Sequence, residues 1–396
     1  MNWKVYGVEN YLTKSPGIGG KIKVKIEDFV VEEVPIEIHK ENNGKYVYAK
    51  IKLVNWETNR FVAKLAKYLG ISRKRITFAG NKDKRGITTQ YFCINHPNRE
   101  FCEEKLKKIK MRGVEILETF RSNFMLEIGA LKGNKFVVRV RDANIKNMRV
   151  IDELKSLGIF PNFFGPQRFG ENEPYTHIVG KYILEKKYRE AVEYYFSRYS
   201  IEDVLCGDHR DYEKIMAMHL KNNPHDYIGA LKKLPKNLLT LFVHAYQSYI
   251  FNRIVSKRLE MEEPHIPKIG DVVFIAEEIP NFKREITVNE FNLEKMKKLA
   301  LERKVFVTAP LFGYSTKLSS GIQGIIEKEI MVEEGINREI FINKDVPEVS
   351  SAGRRRAIFI PFENLEFYID EKDVVFKFFL YKGCYATSFL REIMKS

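Results

Sequence analysis

From residue 21 the chain alternates basic and apolar positions, with Ile22, Val24 and Ile26 set among Lys21, Lys23 and Lys25. A period of two is that of a half-buried strand, and the spacing predicts one over Ile22 to Val34. A second strand is predicted from Lys45 to Val54, with Val47, Ala49, Ile51 and Leu53 on one face. Then the period lengthens. Thr58 can cap a helix whose apolar stripe is Phe61, Val62, Leu65, Tyr68 and Leu69, and Gly70 can end it. A short strand over Arg75 to Ala79 leads into the polar turn Gly80-Asn81-Lys82-Asp83-Lys84-Arg85-Gly86.

Two further strands are predicted at Asn123 to Leu131 and Lys135 to Arg141, joined through Lys132-Gly133-Asn134, and a helix at Ile145 to Leu157. Residues 180 to 260 carry helical periodicity, including a long stripe from Leu238 to Leu259, and 290 to 303 forms another helix. Strand texture returns with Leu365 to Ile369 and Val374 to Leu380 around the turn Asp370-Glu371-Lys372-Asp373, before a final helix, Thr387 to Met394. Strands at both ends with helices between them give fold class α+β, a sheet-based domain interrupted by a largely helical insertion. A length of 396 residues suits two domains.

Composition narrows the function. A hydrophobic fraction of 44% suffices for two cores and argues against long disorder. No apolar run approaches a membrane span and the start opens no signal-like stretch, so a soluble, cytoplasmic protein without a membrane partner is expected. Cys93, Cys102, Cys206 and Cys384 stand far apart, and the eight histidines form no close ligand pair. Neither a disulfide framework nor a metal site is expected. Gly17-Ile18-Gly19-Gly20 lacks the third glycine of a dinucleotide fingerprint and precedes a strand instead of following one. The Gly80 to Gly86 spacing is wrong for a phosphate loop, and Ile87 stands where Ser or Thr is needed. No cofactor is expected. The net charge of +15 points instead to a polyanionic partner, most often nucleic acid. A heat-adapted surface would balance its lysines with glutamates, whereas here 67 basic residues meet 52 acidic ones.

Three runs carry candidate chemistry. Between Arg60 and Arg85 stand nine basic residues and one acidic one, Asp83. A lone carboxylate in such a setting is expected to stay ionised, and it would repel phosphate unless it had a chemical task. The plain alternative is a turn-former. Asn162-Phe163-Phe164-Gly165-Pro166-Gln167-Arg168-Phe169-Gly170 is a loop with three phenylalanines and an arginine. Aromatics beside basic residues stack on unpaired bases, although such a loop can equally fold over a core. Arg354-Arg355-Arg356 suits phosphate contact or a solvated joint.

Together these runs resemble the TruD family of pseudouridine synthases. The family's catalytic stretch is similar to Phe78 through Gln90, and its second signature to Asn162 through Gly170, almost letter for letter. Glu27-Asp28-Phe29-Val30-Val31-Glu32, Gly129 through Phe136 and Tyr385 through Glu392 supply three more blocks in the family's order. Gly86 stands where many members carry alanine, and residues 171 to 240 match poorly. The resemblance implies a pseudouridine-synthase catalytic domain on a mixed or antiparallel sheet, residues 1–164 and 352–396, interrupted by a TRUD insertion domain, 165–351. It implies tRNA as partner, uridine 13 of the D arm as target, and a monomer without metal or cofactor. It also implies Asp83 as nucleophile, Lys23 as its basic partner on the inward strand face, and Asn162 and Phe164 as contacts to the target nucleotide. Two other classes compete. A non-catalytic RNA-binding or RNA-folding protein on this scaffold would be expected to lose Asp83 or Lys23. A cofactor-dependent RNA methyltransferase would bind the methyl donor.

Overall fold

The computed structural model describes residues 2–82, 84–170, 174–197, 199–279 and 281–396. The first part of the chain forms β1 (Phe29–Pro35), β2 (Tyr46–Val54), α1 (Thr58–Leu69), β3 (Ile76–Phe78) and β4 (Ile87–Ile94). It continues through α2 (Arg99–Lys107), β5 (Val114–Ser122), β6 (Leu131–Val140), α3 (Arg149–Leu157) and β7 (Ile159–Pro161). Six helices follow, α4 (Thr176–Leu184), α5 (Tyr188–Tyr195), α6 (Ile201–Cys206), α7 (Asp211–Asn222), α8 (Tyr227–Leu231) and α9 (Lys236–Arg258). Then come β8 (Val272–Glu278), β9 (Asn281–Thr287), α10 (Leu293–Leu301), β10 (Val305–Leu311), α11 (Gly321–Glu333) and β11 (Arg354–Ala357). The chain closes with β12 (Phe359–Asp370), β13 (Asp373–Tyr381) and α12 (Ala386–Met394). The fold is α+β.

Two compact units form. One comprises Thr13–Phe160, Pro361–Ala386 and Leu390–Ser396, and the other Met1–Leu12, Pro161–Ile360 and Thr387–Phe389. Among the described residues the larger sheet has nine strands, in the order β5-β2-β4-β1-β6-β13-β12-β7 with β3 paired on β4. Its β1–β4 pair runs parallel, and the pairs β2–β4, β2–β5, β3–β4, β1–β6, β6–β13 and β12–β13 run antiparallel. The second sheet, β11-β10-β8-β9, belongs with α4–α11.

Burial explains the elements that periodicity predicts. Val47, Ala49, Ile51 and Leu53 are fully buried on one face of β2, against Phe61, Val62 and Leu65 of α1. Each of these side chains larger than alanine stabilises the fold by about 1.5–3 kcal/mol relative to exposure. Gly70 ends α1 in the left-handed region, φ 72°, whereas the cap at its start is Glu57, whose carboxylate accepts from the amides of Asn59 and Arg60. Thr58 is left for another task.

Two predicted strands are corrected. Residues 22–25 are not a strand: Lys23 has φ 57°, Val24 is exposed, and a short 3-10 turn, Ile26–Asp28, precedes β1. Residues 123–130 are a loop whose Phe124, Met125 and Ile128 are exposed, so their apolar texture pairs with nothing on a sheet. The expected turn at 132–134 lies inside β6. Gly133 serves close packing there, since an added Cβ would sit 2.3 Å from the Leu380 carbonyl of the neighbouring strand.

Candidate active site

Parallel pairing puts the starts of two strands at the same end of a sheet. Val30 of β1 lies opposite Ile87 of β4, so the segments feeding them, 23–28 and 84–86, arrive side by side. Arg85 donates from its guanidinium to the Val24 carbonyl at 3.1 Å and ties the two together. Gly86 permits the approach, because an added Cβ would meet the Phe29 carbonyl oxygen at 2.7 Å. Lys23 is half-buried, with its Nζ 4.4 Å above the Phe29 ring. It therefore stands in a left-handed turn before β1 and not on a strand face. Asp83 lies outside the described residues, but the chain on both sides of it is placed.

That turn is anchored from below by groups with almost no solvent exposure. The Gln90 amide donates to the Gly80 carbonyl at 2.8 Å, and the Lys82 amide donates to Thr58 Oγ1 at 2.9 Å. Thr58 and Gln90 are both fully buried and 3.2 Å apart through Oγ1 and Oε1. At the rim, Asn59 donates to Asn81 Oδ1 at 3.1 Å and accepts from Arg73 at 2.6 Å. Lys82 Nζ reaches Glu33 Oε2 at 3.1 Å. Glu33 is buried and its Oε1 has no partner among the described residues. Burial pushes the Glu33 carboxyl above the ordinary carboxylate range, against the attraction of Lys82. The Lys82 charge is thus engaged by Glu33, while Lys84 and Arg85 stay exposed. A positive setting favours anionic groups, whether a carboxylate or an RNA phosphate.

The other unit carries the second signature. The Asn162 side chain donates to the Ala357 carbonyl at 3.0 Å, and its Oδ1 accepts from the Arg356 guanidinium at 2.6 Å. That guanidinium also lies 4.2 Å from the centroid of the Phe164 ring. Phe164 is 6% exposed, edge-on to Phe251, and both its backbone polar groups bond the Asn252 amide. Asn162, Phe164 and Arg356 therefore form one cluster. The loop as a whole folds inward, since Phe163 and Phe169 are fully buried. The triple-arginine run also divides. Arg355 is buried, donating to Thr308, Lys317, Ser319 and Glu327, and only Arg354 is exposed.

Several of these residues escape a reading of motifs. Glu33 had a legible signal, because it shares the inward phase of Phe29 and Val31 in β1, where a carboxylate needs a partner. Thr58 and Gln90 had none, for their hydroxyl and amide meet the turn only through tertiary packing. No group of three His, Cys, Asp or Glu positioned to hold a metal occurs among the described residues. No helix among them is long and apolar enough to cross a membrane.

Comparison with known proteins agrees over the full chain. The family profile described as tRNA pseudouridine synthase D (TruD) matches residues 5–204 and 205–393. A protein of Picrophilus torridus named "Probable tRNA pseudouridine synthase D" is 37% identical, covering 98% of this chain and 97% of its own. One of the same name from Pyrococcus furiosus is 38% identical over 98% of each chain. A crystal structure of a Methanosarcina mazei protein named "Putative tRNA pseudouridine synthase D (TruD)" superposes with a TM-score of 0.81 at 34% identity, covering 99% of this chain and 97% of that one. The chain belongs to the TruD family of tRNA pseudouridine synthases.

Proposed function

We propose that this protein isomerises uridine 13 in the D arm of tRNA to pseudouridine, with Asp83 as the nucleophile. The observation that carries the reading is the parallel β1–β4 pair, which delivers the Lys23 segment and the turn holding position 83 to one end of the sheet. The reaction breaks the C1′–N1 bond, turns the base and joins C1′ to C5. N1 gains a proton and C5 loses one, so the balance needs no oxidant, reductant or external group. A carboxylate at 83 attacks C6 of the uracil or C1′ of the ribose and divides one difficult step into easier ones, or acts as a base on the ribose. Lys23 is its basic partner and keeps it oriented.

Asn162 and Phe164 contact the extruded nucleotide, and Arg356 positions both through its bond to Oδ1 and its contact with the ring. The guanidinium plane adds a surface on which a base can stack. In this reading the sheet unit is the catalytic domain, and the residues from about 165 to 351 are the insertion that grips RNA.

The test is to incubate the pure protein with unmodified tRNA transcript and map pseudouridine at nucleotide resolution. Wild type modifies position 13, and Asp83→Asn, which keeps the shape but removes the charged oxygen, makes none while still binding tRNA. Loss of a covalent nucleophile raises the barrier by several kcal/mol, on the order of 10³-fold or more in rate. Substantial turnover by Asp83→Asn removes that residue from the role.

A further inference from the structure

The helical unit contains a cavity of about 550 Å³ that the reaction does not use. Such a volume falls within the ~300–1,000 Å³ that encloses a drug-sized molecule. Its lining is aromatic to an unusual degree, with Tyr175, Tyr194, Tyr195, Tyr199 and His177 among the residues, and Glu213 beside them. No lysine or arginine appears among the described lining residues to draw in a phosphate. Glu213, which accepts from the Tyr195 hydroxyl at 3.0 Å, would repel one.

His177 supplies the polar definition. The ring is stacked on Tyr249 at 4.9 Å and set edge-on to Phe169 at 5.3 Å, which fixes its plane. It is 7% exposed, and its Nδ1 is enclosed with no hydrogen-bond partner among the described residues. A buried unpaired N–H is costlier than a buried unpaired lone pair, so the proton belongs on Nε2. Nε2 has no protein partner among the described residues either, yet it is not among the enclosed atoms. His177 lines the cavity, and Nε2 is the ring nitrogen left to meet a ligand there. Burial pushes the imidazole pKa down to about 4, so the donor is neutral near pH 7 and suits an uncharged acceptor.

A fixed neutral donor, a carboxylate acceptor and several stacking faces select a flat heterocycle bearing both a ring acceptor and an amino group. We propose that this cavity receives an unpaired, amino-bearing base of the RNA substrate (adenine, cytosine or guanine), stacked on its tyrosines and held by His177 and Glu213. The proposal rests on the tRNA reading above and adds a second base-recognition site, distinct from the residues assigned to the target uridine. Tyr199, about half exposed and edge-on to His209 at 4.6 Å, is the ring best placed to close over the base.

Two measurements test it. Free adenosine, cytidine, guanosine and uridine, with ribose 5-phosphate as control, are titrated at millimolar concentration and followed by NMR. The amino-bearing nucleosides should bind more tightly than uridine, and ribose 5-phosphate should not bind. Tyr199→Ala should weaken that binding roughly 5- to 150-fold, the range of one lost stacking face. His177→Phe keeps the stacked ring and removes only the donor. Both variants should raise KM for tRNA while kcat holds. The titration does not depend on turnover, so a wild type that binds nucleosides but makes no pseudouridine refutes the function and not the cavity. No nucleoside binding, binding indifferent to Tyr199→Ala, or an unchanged KM in both variants overturns the proposal.

Discussion

Lys82→Met should destabilise the sheet unit by an amount that depends on pH in a calculable way. At 3.1 Å, Lys82 and Glu33 attract by roughly 5 kcal/mol at an effective dielectric of about 20. Removing one partner of a buried pair costs about 3–5 kcal/mol, because the other charge is stranded. Glu33, with a side chain 0% exposed, can escape by taking up a proton. That escape sets a ceiling of about 1.4 kcal/mol for each pH unit above the ordinary glutamate value of 4.5. The ceiling is roughly 4 kcal/mol near pH 7.5 and roughly 1.4 kcal/mol near pH 5.5. The sign follows from the raised carboxyl: its stabilising protonated form is present below the unfolded value and is lost as pH rises through the folded one. The variant should therefore be most damaged at alkaline pH and recover on acidification. The chain has two tryptophans, and Trp56 packs against the β2–α1 core with its ring 5.9 Å from Phe61. A Trp3→Phe background makes urea unfolding of the sheet unit readable through Trp56 alone. Lys82→Met combined with Glu33→Gln should remove the pH dependence. A single-variant cost below about 1 kcal/mol near pH 7.5, or one that does not shrink near pH 5.5, would refute the buried-pair account.

Three further outcomes are expected. Lys23→Asn removes the charge but suits the left-handed backbone at φ 57°, so kcat should fall roughly 10²-fold or more with Trp56 unfolding unchanged. Unaltered kcat would make Lys23 an ordinary turn residue. Arg355→Met strands the buried Glu327 and should cost about 3–5 kcal/mol of stability, whereas the exposed Arg354→Ala should cost little and flatten the salt dependence of tRNA binding. Equal effects of the two on unfolding would contradict their different burial. Exhaustive chelation should leave pseudouridine formation unchanged, and loss of turnover restored by a metal would overturn the metal-free reading.

What could be read of the fold from sequence was what burial alone dictates. The β2 face and the α1 stripe obey one period each, and both meet the same core. Residues 22–25 obey a period just as cleanly, yet a strand also needs a partner ladder, and that of β1 begins only at Phe29. The positive φ at Lys23 that ends the alternation is invisible in a lysine, a residue with no preference for it. Gly133 misled in the opposite sense. It reads as a turn residue, but its lack of a side chain is needed by the neighbouring strand, a requirement set by residues nearly 250 positions away.

The triple arginine shows why the site was only partly legible. Three identical neighbours invite one electrostatic role, and as a charge run they suggest phosphate. Placed on β11 they alternate, so that Arg354 is exposed, Arg355 is buried against Glu327, and Arg356 is half-buried against Asn162 and Phe164. The strand period acts on charged residues as it does on apolar ones. Arg355, turned to the face opposite its neighbours, must find an acceptor and finds Glu327, while Arg356 shares its face with the exposed Arg354 and meets the signature cluster. The same logic applies to Glu33, whose inward phase demanded the partner that Lys82 provides. Parity along a strand thus assigns charged residues to tasks before any motif does, and a basic run on a strand should be divided by parity before any part of it is given to RNA.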